Sequence, residues 1–320
     1  MTAAGHSPTT AASSQRATVE LATVAPYDFD LAMTYLRSSP SAVLEQISPD
    51  GVYRRSFTCD GRDVLLTVRS LGTHDAPRLL LEVAGEGVDS ALVVAAERQV
   101  RRVFSLDADP EPFLRVAASD PVFDRVVRQF PGIRPVLVAS PYEALTWAII
   151  GQQITVGFAR RLKQTLLDLC GHSIEVAGRA YPVFPTPEEV AALDPAELLS
   201  RSYSRSKASY VLDASRAVAD GALDLEAVGA LPFDEAVAEM TRLRGIGRWT
   251  AEYALMRGLG APDSFPAADT GLRAAIGKAY GLGRSATEAE ARSYAERWVG
   301  WRGWAAFIWW LALQTRTPLV

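Results

Sequence analysis

The chain has 320 residues, 48% of them hydrophobic and 22% charged, with a net charge of −4 and a pI near 5.6. That balance describes a globular protein with room for two or three domains, and it argues against a broad basic surface wrapped around nucleic acid. Two cysteines far apart, Cys59 and Cys170, supply no disulfide framework, zinc site, iron–sulfur cluster or acceptor-thiol motif.

In chain order, residues 1–19 are rich in Ala, Ser and Thr, lack an apolar run and read as a disordered tail, not a signal peptide. A helix is expected over Phe29–Leu36. Strand-like runs follow at Ala42–Ile47, Val52–Thr58, Val64–Val68 and Leu79–Val83, with Asp60-Gly61 marking a hairpin. Helical periodicity returns from Val88 to Phe104. Residues 20–108 therefore predict a small antiparallel sheet with helices.

From residue 109 to 320 every expected element is helical, so the fold class is α+β with a sheet lobe ahead of a helical body. Ser140-Pro-Tyr-Glu143 and Thr186-Pro-Glu-Glu189 read as capping boxes, and Asp194-Pro195 opens another helix. Gly151, Gly171, Gly221, Gly258 and Gly281 fall at helix ends. The apolar stretch Gly303–Leu313 is too short for a membrane span and reads as a buried terminal helix.

The informative segment begins at Phe233, where Val237, Met240 and Leu243 share a helical face. Gly245 and Gly247 interrupt it, and a second helix runs from Arg248 to Gly258. Two glycines at this spacing permit a turn with positive φ and close approach of an anion, beside a helix N-terminus whose N–H groups favour phosphate. By itself this pattern equally describes an ordinary helix–turn–helix corner. Thr250 offers a further hydroxyl or amide contact. Arg201, Arg205, Lys207, Arg242, Arg244, Arg248 and Arg257 cluster around the turn, which predicts a small, salt-sensitive DNA footprint. Asp269, after Pro266 and before Thr270-Gly271-Leu272, suits a helix N-cap. That role is compatible with chemistry, because a capping carboxylate is rigidly held.

Leu243-Arg-Gly-Ile-Gly-Arg-Trp-Thr-Ala251 followed by Pro266-Ala-Ala-Asp269 resembles the helix-hairpin-helix DNA glycosylases and, among them, the bacterial 3-methyladenine DNA glycosylase II branch. Pro26-Tyr-Asp-Phe29, Ala148-Ile-Ile-Gly-Gln-Gln-Ile-Thr155, Tyr294-Ala-Glu-Arg-Trp298 and Trp301-Arg302 are similar to that branch in the same order, over roughly residues 22–315.

The resemblance implies a monofunctional enzyme of base excision repair, with no cofactor, that removes alkylated purines such as 3-methyladenine and 7-methylguanine from double-stranded DNA. It implies Asp269 as the catalytic carboxylate, Trp249, Tyr253, Trp310 and Tyr35 around an extruded base, and Gly245, Gly247, Thr250, Arg244 and Arg248 on the DNA backbone. The carbonyls of Thr241, Leu243 and Ile246 would meet a monovalent cation. Trp298, Trp301, Trp304 and Trp309 read as core.

Members that also nick the strand carry a lysine at the position occupied here by Trp249, so no imine intermediate is expected. Gln153 falls where the family inserts a wedge, often apolar; it reads either as that wedge or as a solvent-facing loop residue. Arg244 stands where a proline is common, and Thr270-Gly271 where bulkier residues are expected, which leaves lesion preference open. A non-catalytic DNA-damage-binding protein and a glycosylase for deaminated or etheno bases are the alternatives. A monomer in the bacterial cytoplasm, associated with the nucleoid and not with a membrane, is expected.

Overall fold

The computed structural model describes residues 15–39 and 42–319; the rest of the expected tail, 1–14, lies outside them. The first elements are β1 (Gln15–Ala22), α1 (Phe29–Ser38), β2 (Gln46–Ile47), β3 (Tyr53–Cys59), β4 (Arg62–Ser70), β5 (Arg78–Gly85), α2 (Ser90–Val103), α3 (Glu111–Ala118) and α4 (Pro121–Val127). The strands form one antiparallel sheet in the order β1-β5-β4-β3-β2. Asp60 and Gly61, at φ 47° and 72°, close the β3–β4 hairpin in the handedness that matches strand twist. Val64, Leu66 and Val68 alternate along β4, and Leu79, Leu81 and Val83 along β5, so one face of the sheet is fully buried. Asp28 and Asp89 cap α1 and α2 by accepting from Leu31 N and Leu92 N.

Strand β1 starts inside the stretch read as tail. It is an edge strand paired to β5 along its whole length, from Gln15↔Gly85 to Ala22↔Arg78. Ala17, Val19 and Leu21 do alternate along it, but only Leu21 is fully buried, and the run starts at the end of an Ala-, Ser- and Thr-rich stretch that masks it. The run expected at Ala42–Ile47 contributes just the short β2.

The second half contains α5 (Pro141–Gly151), α6 (Val156–Cys170), β6 (Ser173–Val176), β7 (Arg179–Pro182), α7 (Pro187–Ala191), α8 (Pro195–Ser200), α9 (Arg205–Ala219), α10 (Leu225–Gly229), α11 (Phe233–Thr241), α12 (Arg248–Gly258), α13 (Thr270–Ala279), α14 (Glu288–Ala295), a 3₁₀ turn at Glu296–Trp298 and α15 (Arg302–Gln314). The β6–β7 hairpin corrects the expectation of helices alone. It turns through Ala177 and Gly178 at positive φ and lays Val176 and Tyr181 on Leu65 and Ala84, the other face of the large sheet. The Ser56 hydroxyl donates to the Pro182 carbonyl across this contact.

Buried side chains form two main clusters. One unites the sheet and α1–α4 with α13–α15; the other is built by residues between Tyr142 and Leu255. Helix α12 passes from one to the other, Leu255 belonging to the second and Met256 to the first, while Trp310 packs against both. Trp298, Trp304 and Trp309 are core residues, as expected.

A buried charge network also joins the lobes. Arg55 of β3 donates to Glu45 and to Glu143 of α5, and Lys163 Nζ of α6 donates to Glu143 Oε1 at 2.6 Å. Burial pushes the Glu143 carboxyl up, but the Arg55 and Lys163 cations outweigh it and hold the group below its ordinary range. Ser140 Oγ accepts from Glu143 N as expected, yet the Glu143 side chain goes to the two cations instead of completing the capping box. At Thr186 and Glu189 the box is complete. Among the described residues, no helix is long and apolar enough to cross a membrane.

Candidate active site

The expected hairpin is present between α11 and α12. Gly245 has φ 91°, and a Cβ there would lie 2.2 Å from the Tyr210 ring of α9, so backbone conformation and space both demand glycine. Ile246 is buried and its N–H bonds back to the Leu243 carbonyl at 3.1 Å. Gly247 is exposed, has open space where a side chain would be, and caps α12 without any side-chain hydrogen bond. The first-turn amides of α12 thus face a surface that a bulky anion can reach.

The neighbouring turn, Gly151 to Thr155, is tied to this hairpin. Gln152 Nε2 donates to the Gly245 carbonyl at 2.7 Å and to Thr250 Oγ1 at 2.9 Å. Lys207 Nζ donates to the carbonyls of Ile149, Ile150 and Gln152 at 3.2, 2.7 and 3.0 Å. Gln153, next along, is exposed and in the left-handed region at φ 56°.

Several expected backbone contacts need correction. The Thr250 hydroxyl is buried and engaged by Gln152, so only its amide remains at the helix start. Lys207 is buried on the α5 carbonyls, and Arg257 is 2% exposed with its guanidinium over the rings of Tyr35 and Phe307. Arg248 is half exposed but donates to the buried Glu252 at 2.8 Å, which Arg292 also engages. Arg201, Arg205, Arg242 and Arg244 are exposed; Arg244 lies over the Tyr210 ring, and Arg242 pairs with Glu239. The cationic footprint is smaller than the sequence suggests.

Asp269 is the N-cap of α13. Its Oδ1 accepts two hydrogen bonds, from Leu272 N at 2.8 Å and from the Trp310 indole N–H at 3.0 Å, while Oδ2 has no partner among the described residues. A Cβ at Gly271 would lie 3.2 Å from Oδ1, so glycine there gives the carboxylate room. Trp310, Tyr253 and Trp249 form a continuous aromatic row: successive centroids are 5.7 Å apart, with planes tilted by 43° and 40°. Burial pushes the Tyr253 phenol well above its ordinary range; Arg257 opposes this, and Tyr35 and Asp269 add to it. Tyr35, 2% exposed on α1, packs on Phe307 at 4.7 Å and under Arg257. The four expected aromatic residues and the carboxylate are therefore within one neighbourhood, contributed by α1, α12, α15 and the start of α13.

Gln152, Tyr210 and Arg257 in its buried setting were not anticipated. The first two act through hairpin contacts made across 93 and 35 positions of sequence, and no local pattern announces such a pairing. Burial pushes the Cys170 thiol up to about 11 and Cys59 to about 12, so neither is a ready nucleophile. Among the described residues, no group of His, Cys, Asp and Glu is arranged to hold a metal.

Comparison with known proteins agrees with this geometry. Residues 146–300 match the family described as HhH-GPD superfamily base excision DNA repair protein, and residues 18–137 match the AlkA N-terminal domain. A DNA-3-methyladenine glycosylase of Bacillus subtilis is 35% identical over 216 residues, 68% of this chain and 71% of that protein. DNA-3-methyladenine glycosylase 2 of Escherichia coli is 26% identical over 89% of this chain and 94% of its own length. The solved 3-methyladenine DNA-glycosylase from Archaeoglobus fulgidus superposes with a TM-score of 0.81 at 25% identity, covering 93% of this chain and 99% of that one. The chain belongs to the HhH-GPD superfamily of base excision DNA repair proteins, with the AlkA-type N-terminal domain.

Proposed function

We propose that the protein is a DNA glycosylase of base excision repair that hydrolyses the N-glycosidic bond of extruded alkylated purines and leaves an abasic site. The observation that carries this is the Asp269 carboxylate, capped by Leu272 N and held by Trp310 at one end of the Trp310–Tyr253–Trp249 row. The relatives named DNA-3-methyladenine glycosylase support the same substrate class.

A base inside a duplex is out of reach, so the nucleotide leaves the stack at a cost of a few kcal/mol. The amides after Gly245 and Gly247 hold the backbone, with Arg244 adding charge and Arg248 sharing its charge with Glu252. Gln153 enters the gap left by the base, where its amide can hydrogen-bond the orphaned partner. Trp249, Tyr253 and Trp310 stack on the lesion; an N-alkylated purine is cationic, and aromatic faces attract it by about 0.5–2 kcal/mol. Tyr35 closes the wall behind Tyr253.

As the glycosidic bond breaks, positive charge grows on the sugar. Asp269 Oδ2, free of hydrogen bonds, stabilises that charge or aligns the water that attacks C1′. The lesion is a good leaving group, so no dedicated general acid is required. The carbonyls of Thr241, Leu243 and Ile246 would hold a monovalent cation in the DNA complex and so add positive charge beside a phosphate; the bond from Ile246 N occupies one lone pair on the Leu243 oxygen and leaves the other.

Trp249 replaces the lysine of strand-nicking members, so the enzyme forms no imine and has no lyase step. It acts as a monomer on double-stranded DNA in the cytoplasm, at the nucleoid.

The test is release of free bases from randomly N-methylated DNA, resolved by chromatography, with wild type and Asp269→Asn. Loss of release by a variant that still binds DNA supports the enzyme; unchanged release removes Asp269 from the chemistry. Absence of both release and any Asp269 effect would leave a binding protein. A borohydride-trapped adduct would overturn the monofunctional assignment.

A further inference from the structure

Residues on three elements close a ring around the Gly151–Thr155 turn. Helix α9 supplies Lys207, which binds the carbonyls of Ile149 and Ile150 in α5 and of Gln152 just after it, and three positions later Tyr210, whose ring fills the space where Gly245 lacks a side chain. Gln152 completes the ring with both amide hydrogens, one on the Gly245 carbonyl and one on Thr250 Oγ1. Gln153 projects from this ring in a left-handed conformation that a residue with a Cβ adopts only when its surroundings enforce it.

We infer that Gln152 is a positioning residue that locks the Gln153 turn to the glycine turn, so that gripping the backbone and emptying the base stack occur as one step. The inference rests on the proposed reading of Gln153 as the residue that enters the duplex.

The physical case has two parts. The Gly245 carbonyl belongs to the turn that offers its amides to phosphate, so a shift of that peptide moves the anion site; Gln152 holds its carbonyl while the Tyr210 ring fills the space at its Cα. The carbonyls at the end of α5 run short of N–H partners, Ile149 keeping only a long bond from Gln152 N, and a buried ammonium engages those of Ile149, Ile150 and Gln152 at once. Burial pulls the Lys207 amine below its ordinary range, which fits a cation whose partners are carbonyl dipoles. The Gln153 tip is consequently fixed in distance and direction from the phosphate site. Flexibility at this point would let the backbone be held while the tip missed the gap.

A double-mutant cycle tests this, with single-turnover excision from a duplex carrying one lesion. Gln152→Met keeps the side-chain length and removes both donors. We expect it to slow excision at subsaturating enzyme by about tenfold, the loss appearing as a raised enzyme concentration for half-maximal rate with the maximal single-turnover rate largely kept. Gln153→Ala should slow native enzyme several-fold but change the Gln152→Met enzyme little, because a tip that is no longer aimed has little to lose. Additive effects overturn the inference while leaving the insertion role of Gln153 standing.

If Gln153→Ala alone changes nothing, the insertion role falls and the inference with it. A lesion placed opposite a mismatch, already cheap to extrude, should restore most of the Gln152→Met loss; a general loss of structure would depress both substrates equally, and that outcome also counts against the inference. Should Gln152→Met fail to fold, Thr250→Val deletes one acceptor at constant shape and enters the same cycle with the same two readings.

Discussion

The indole N–H of Trp310, on the last helix, donates to Asp269 Oδ1 at 3.0 Å, on the same oxygen that caps α13. Among the described residues, one carboxylate oxygen carries both bonds, and the other is the one the proposed chemistry uses. Trp310→Phe keeps a smaller aromatic face and deletes the donor. A hydrogen bond to a charged group is worth about 1.5–3 kcal/mol, so kcat should fall by roughly tenfold or more with KM and Tm little changed. An equal rise in KM would mean that Trp310 serves the base alone.

Asp269 separates stability from catalysis. Asn is as good a cap as Asp, so Asp269→Asn should melt within about 0.5 kcal/mol of wild type while kcat drops by about two to three orders of magnitude. Asp269→Ala should be equally inactive and additionally lose about 1 kcal/mol, read from chemical denaturation.

Gly245→Ala forces a Cβ into the Tyr210 ring at a residue with φ 91°. The hairpin must distort, and affinity for undamaged duplex should fall by about tenfold or more, roughly the loss of one well-made phosphate site. Adding Tyr210→Ala should relieve the collision but not the backbone strain, recovering part of the affinity. Gly247→Ala meets open space and negative φ, so it should disturb the free protein less than it disturbs DNA binding.

Glu143 gives a pH dependence with a definite sign. Its folded-state pKa lies below the ordinary 4.5, so its stabilising contribution is fully present above that value and is lost as pH falls below it. Thermal melts of wild type should therefore steepen downward below pH 4.5. Glu143→Gln strands parts of Arg55 and Lys163 in the interior, should cost about 3–5 kcal/mol at neutral pH, and should flatten the acid limb.

The glycine turn and the capping position of Asp269 were legible from residue type and spacing, whereas a chemical role for Asp269 and the grouping of Trp249, Tyr253 and Trp310 came only from the family resemblance. Helix α12 begins and ends where the periodicity and the glycines predict. The β6–β7 hairpin escaped because its four-residue strands bury few side chains, and β1 because its Ala17, Val19 and Leu21 alternation sits at the end of a stretch whose composition suggests a tail. The arginines were misjudged for a different reason. Charge counts along a sequence, but Arg257 and Lys207 spend theirs on aromatic rings and helix-end carbonyls inside the fold. Gln152 and Gln153 are adjacent and chemically identical, yet one is a half-buried strut and the other an exposed tip; the direction of the chain at the end of α5 decides between them.

The cross-lobe ties have a mechanical consequence. Arg55, Glu143 and Lys163 pin the sheet to α5 and α6, and the β6–β7 hairpin rests on the sheet's far face. Jaws riveted at two places do not swing. On the proposed function, the shape change that brings a lesion to the carboxylate would then fall on the double helix, which bends and unstacks where it is already weak, making softness in the DNA the first filter for damage.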